Sequence, residues 1–238
     1  MPVSARSIAN WRAKEAKWSV DMSNLALWVK WILTNSLGEL LGLGATFAIG
    51  FGLFSDLADS PNPAAVLLSA VLMTASGVLE GALVGFVQWL VLRDAIPGIL
   101  RRAWVLATII GALIAWFFGS IPMTLASLSQ PSTPTPANEP PQALVLLLAA
   151  GMGLVAGFIL SVVQWRVLRK HVEKAWLWLP ANALAWAAGM PLIFAAVDLA
   201  QKAGSTAGGV IVMAAGITLA GATVGAIHGL ALLVLARS

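Results

Sequence analysis

The stretch GVLEGALVGFVQWLVLR, Gly77 to Arg93, sets three glycines at four-residue spacing and then a glutamine, a tryptophan and an arginine. A close copy follows as GLVAGFILSVVQWRVLR, Gly153 to Arg169. Glycines four apart share one face of an α-helix and let a neighbouring backbone come close. The run between them is too apolar to face water. Each copy therefore reads as a membrane span that ends where Trp and Arg meet lipid headgroups.

The whole chain supports that environment. Of 238 residues, 59% are hydrophobic and 10% charged, and the mean hydropathy is +0.88. A soluble domain carries about a quarter charged residues. The 22 glycines and 12 prolines are tolerable in spanning helices, where neighbours re-satisfy freed backbone groups. With no cysteine, disulfides, thiolate metal sites and cysteine nucleophiles are excluded.

Crossing about 30 Å of hydrocarbon takes about 20 helical residues. Windows of that length fall at 28–54, 64–92, 103–128, 142–165, 176–200 and 207–235. Six spans put both termini on one side. All but one of the 14 basic residues then lie on that side, Lys202 being the exception. The positive-inside rule makes that face cytoplasmic, so a bacterial inner-membrane protein with cytoplasmic N- and C-termini is expected. The net charge of +4 is a signal of topology and of attraction to anionic lipid; no nucleic-acid partner follows from it. Trp28, Trp31, Trp89, Trp104, Trp165, Trp176 and Trp178 fall at the inner ends of spans, which predicts rings in the headgroup layer. Residues 1–27, with Ile8, Trp11, Trp18 and Met22 near one helical face among basic residues, suit an interfacial helix on the inner leaflet.

Internal repetition organises the spans. Aligning WILTNSLGELLG, WVLATIIGALIA and WLPANALAWAAG on Trp31, Trp104 and Trp178 superimposes Asn35, Thr108 and Asn182. Aligning the even spans on Gln88, Gln164 and His228 superimposes Gly81, Gly157 and Gly221, then Gly85, Ser161 and Gly225. The expected architecture is all-α: a six-helix transmembrane domain over 28–238, built as three helical hairpins (28–93, 103–169, 176–238) about a pseudo-threefold axis. A Pro-rich external loop, 129–142, lengthens the second hairpin. Gly77, Gly81, Gly85, Gly153, Gly157, Gly221 and Gly225 are the candidate helix-packing positions.

Polar residues within the spans are the candidate functional ones. Gln88 and Gln164 lie at nearly the depth of Asn35, Thr108 and Asn182, and a buried amide needs a partner. Interhelical bonds are expected within each hairpin: Asn35 with Gln88, Thr108 with Gln164, Asn182 with His228. Glu39, about 12 Å beyond Trp31, and Glu80, about 20 Å before Arg93, break the repeat. Carboxyls at that depth point by default to function, here a shared proton or a held cation; the alternative is a neutral glutamic acid that hydrogen-bonds a neighbour or faces a partner subunit. His228 aligns with two glutamines and reads as their polar substitute in preference to an axial ligand for haem or chlorophyll. Asp198 and Lys202 can pair across one helical turn.

No phosphate loop, dinucleotide fingerprint, zinc-type histidine pair or nucleophile elbow is present, so neither catalytic nor metal-binding residues are assigned and no cofactor is indicated. The glycine stripe with QWxVLR is similar to a family of bacterial multi-pass membrane proteins without assigned function, found in cyanobacteria and green filamentous phototrophs; the resemblance covers most of spans two to five. The six-span count is also similar to substrate-binding subunits of vitamin transporters and to three-repeat mitochondrial carriers, but the carriers' Pro-x-acidic-x-x-basic signature is missing. Two functions are expected to compete. One is a non-enzymatic membrane subunit that packs with other membrane proteins in an energy-transducing or photosynthetic assembly; the other is a small ion- or proton-coupled transporter or channel using Glu39 and Glu80.

Overall fold

The fold is taken from a computed structural model, which describes residues 5–50, 52, 55–58, 60–129 and 140–237. It is all-helical among the described residues. The elements are α1 (Ala5–Ile49), a single turn α2 (Ser55–Ala58), α3 (Pro63–Ala95), α4 (Arg101–Leu128), α5 (Gln142–Leu168), a 3-10 turn (Ala175–Leu177), α6 (Trp178–Gln201) and α7 (Thr206–Leu235). Among the described residues six stretches are long and apolar enough to cross a membrane: Met22–Ile49, Pro63–Ala95, Arg101–Leu128, Gln142–Leu168, Ala175–Gln201 and Thr206–Leu235. The windows expected from hydropathy match these one for one.

Local chemistry sets the helix starts. Asn62 caps α3 by accepting from the Ala64 N–H at 3.0 Å, with Pro63 in the first turn. Ser205 caps α7 by accepting from the Gly208 N–H at 3.1 Å. Side-chain caps of this kind satisfy N–H groups that have no intrahelical acceptor. Gly98 and Gly204 take positive φ in the α3–α4 and α6–α7 turns, a conformation that only glycine adopts without penalty.

Each long helix packs against its neighbours in the chain, and α7 packs against α1, so the six spans close a ring. Outside, the helices present large apolar side chains such as Leu33, Val71, Leu147 and Ile211, each more than 60% exposed. Apolar surface on this scale belongs in lipid.

Among the described residues the interior has two apolar clusters. One, at the basic end, gathers Trp31, Leu92, Ile96, Trp104, Leu168, Trp178 and Leu232. The other, toward the opposite end, gathers Leu43, Trp186, Ile193, Ile217 and Val224.

α1 runs unbroken from Ala5 through the first span. The side chains of 5–21 lie outside the described residues, and with them the proposed apolar face of Ile8, Trp11 and Trp18. The Pro-rich segment 130–139 also lies outside them.

Candidate functional site: a tryptophan–amide belt and a carboxyl pair

The headgroup placement expected for all seven inner-end tryptophans needs correction. Trp31, Trp104 and Trp178 are almost wholly enclosed, and Trp178 stacks edge-on against both others at centroid distances of 6.1 and 6.0 Å. The cause is angular position. Trp31, Asn35, Gly38 and Gly42 follow one another at spacings of four, three and four, so the indole shares the face that packs inward. Trp89 and Trp165 follow a buried glutamine by one residue, about 100° around the helix, and sit at the rim. There Arg93 stacks on Trp89 at 5.2 Å and Arg169 on Trp165 at 4.8 Å. The Trp–Arg end of QWxVLR is thus a cation–π pair, while its glutamine points into the bundle.

Buried indole N–H groups need acceptors; two glutamine amides and one imidazole supply them. Trp104 Nε1 donates to Gln88 Oε1 at 3.2 Å, and Trp178 Nε1 donates to Gln164 Oε1 at 2.8 Å. Trp31 Nε1 donates to His228 Nδ1 at 2.7 Å. The other end of each glutamine reaches back along the chain. Gln88 Nε2 donates to Asn35 Oδ1 at 2.8 Å, and Gln164 Nε2 donates to Thr108 Oγ1 at 3.0 Å. Glutamine suits these positions because one side chain carries both an acceptor and a donor. Asn35 and Thr108 complete the chain by donating to the carbonyls of Trp31 and Trp104, at 2.7 and 3.0 Å. A belt of hydrogen bonds therefore links α1 to α3, α3 to α4, α4 to α5, α5 to α6, and α7 to α1.

The belt has one gap. The expected bond between Asn182 and His228 does not form: His228 turns its accepting nitrogen to Trp31 and lies between Trp31 and Trp178, 5.5 and 5.1 Å from their centroids. Asn182 Nδ2 is buried without a partner among the described residues.

The packing glycines all meet a neighbouring helix, and in the same sense. On α3, Gly77, Gly81 and Gly85 face α4; on α5, Gly153 and Gly157 face Trp186 and Asn182 of α6; on α7, Gly221 and Gly225 face Asn35, Ser36 and Ile32 of α1. The glycine faces therefore seal the joints between successive hairpins.

Glu39 and Glu80 lie within the spans of adjacent packed helices, α1 and α3, with Glu80 level with Gly42 and so about one turn beyond Glu39. A Cβ on Gly42 of α1, three residues beyond Glu39, would stand 3.2 Å from the Glu80 Cα. Glu80 Oε2 accepts from Trp116 Nε1 at 2.7 Å. Glu39 is buried, with its Cβ against Gly221 and its Oε2 without a partner among the described residues. Neither carboxyl makes an ion pair among the described residues. The sequence reading missed Trp116, although an indole in mid-span requires an acceptor and Glu80 was at hand. Among the described residues no three His, Asp or Glu side chains gather as a metal site would require. Asp198 and Lys202 pair at 2.8 Å as expected.

Comparison with protein families, curated proteins and solved structures yields no match to this chain.

Proposed function

We propose that the chain is a non-enzymatic integral membrane subunit of the bacterial inner membrane, with cytoplasmic termini, that packs with and stabilises a larger energy-transducing or photosynthetic assembly. The observation that carries this reading is the filled interior: three enclosed indoles and their acceptors, Gln88, Gln164 and His228, occupy the centre of the ring at its basic end. A conducting path would want a wetted polar lining there. Gly119 of α4 and Gly151 of α5 add support, since a Cβ on either would meet nothing within 4 Å among the described residues. Both lie nine residues from the far ends of their helices, hence about 13 Å deep, where a partner helix has room to approach closely. In this reading three hairpins stand about a pseudo-threefold axis, with the tryptophans nearest it.

A second reading, a proton- or cation-coupled transporter, is favoured by one observation: the buried Oε2 of Glu39, without a partner among the described residues, on the helix packed against that of Glu80. Purification in mild detergent followed by mass spectrometry, alongside proton and cation flux in liposomes, separates the two. The subunit reading predicts a stoichiometric partner and no flux above protein-free vesicles. Flux abolished by Glu39→Gln or Glu80→Gln would overturn it in favour of transport.

A further inference from the structure

On the lipid-facing side of the ring, at its basic end, α3 and α4 border a groove of about 480 Å³ lined by Ala82, Phe86, Arg101, Arg102, Val105 and Leu106. Its lining is mostly apolar and includes Arg101 and Arg102 from the first turn of α4. Among the described residues neither arginine makes an ion pair, the nearby Asp94 being taken by Arg93 at 3.5 Å. Arg101 rests on the Trp89 ring at 5.9 Å, and that ring is itself anchored by its N–H to the Ile99 carbonyl at 3.2 Å. Leu100, just before α4, supplies no side-chain cap, so the positive end of the helix dipole faces the same place. Two unneutralised arginines, a helix start and an apolar trough have the charge and shape of one occupant. The geometry points to a binding site for an anionic phospholipid, its phosphodiester held by Arg101 and Arg102 and an acyl chain laid along Ala82, Phe86 and Leu106.

Guanidinium groups take phosphate oxygens two at a time, and basic grooves between spans are where anionic headgroups settle. The site is particular to this joint. In the second hairpin, Phe158 stands where Ala82 leaves the trough, and Ala175 and Trp176 open the following span in place of the arginine pair. General attraction to a charged membrane would not single out α3 and α4.

Native mass spectrometry of the full chain from detergent containing equal dioleoyl-phosphatidylglycerol and dioleoyl-phosphatidylcholine tests this. Wild type should retain phosphatidylglycerol in preference, and the Arg101→Ala/Arg102→Ala variant should lose that preference by roughly 30-fold. Ala82→Phe, which fills the trough and leaves the charge alone, should lose it too. Lys170→Ala/Lys174→Ala, which removes equal charge at the other basic connection, should keep it. Elution and helical circular dichroism identical to wild type establish that each variant is folded. Equal retention of the two lipids by wild type, unchanged preference in the arginine or Ala82 variant, or equal loss in the lysine variant would each overturn the assignment.

Discussion

Trp178→Ala is expected to destabilise the protein by about 3–5 kcal/mol, the range for removing a fully enclosed large aromatic. Trp178 touches Trp31, Trp104 and His228 at the centre of the ring. Its loss leaves a cavity between three helices that cannot collapse without breaking the belt, and it strips Gln164 Oε1 of its donor. Trp178→Phe keeps most of the ring contacts and loses the N–H alone, so it should fall between wild type and alanine. Trp176→Ala is the control, because that ring, two residues away, is 58% exposed; its effect should stay within about 0.5 kcal/mol. Unfolding in mixed detergent–dodecyl sulfate micelles reads all three. Equal effects for Trp178→Ala and Trp176→Ala would place the indole of Trp178 in the headgroups after all.

Gly81→Ala is the second large effect. A Cβ there would stand 2.6 Å from Ile109 Cα, 2.9 Å from Ile109 N and 3.0 Å from Thr108 O. All three atoms are backbone, so α3 and α4 must separate to admit a methyl group. Overpacking of this kind costs about 1–3 kcal/mol, and separation would also pull Gln88 from Trp104. Gly119→Ala has the opposite sign. Nothing lies within 4 Å of its Cβ position, and replacing a mid-helix glycine by alanine gains roughly 0.5–1 kcal/mol. The same micelle titration should therefore shift in opposite directions for two chemically identical changes on neighbouring faces.

Depth was legible in the sequence and azimuth only in part. Spacing along a helix fixes how far a residue lies from the membrane edge, and that sufficed to pair Asn35 with Gln88 and Thr108 with Gln164. It also set Glu39 and Glu80 within the spans of adjacent helices. Which way a residue faces depends on the stripe it belongs to. Trp31, Trp104 and Trp178 share the small-residue face with Asn35, Thr108 and Asn182, a relation visible in the alignment. Tryptophan's preference for headgroups hid it, because a residue at a span end can satisfy the headgroup rule and the packing rule alike.

The Asn182–His228 error has a different origin. Gln and His both offer a donor and an acceptor, but the two nitrogens of an imidazole are fixed in one rigid ring. Once Nδ1 is turned to Trp31, the direction of the remaining nitrogen is no longer free to follow the glutamine pattern. The bond from Trp116 to Glu80 required knowing that α3 sets its glycine face against α4, which no single span reveals.

The central claim is that the six spans close on themselves, first against last, and cysteine chemistry tests it on a chain that has no cysteine of its own. Ser36 of α1 lies against Gly221 of α7, so Ser36→Cys with Ala222→Cys should join through a short bifunctional thiosulfonate. After cleavage at a protease site built into 130–139, the closed ring predicts that the two halves remain linked on a non-reducing gel. A Ser36→Cys/Leu147→Cys chain, pairing α1 with the outward face of α5, should fall apart. Halves that separate in the first case, or that join only between chains carrying one cysteine each, would contradict the ring.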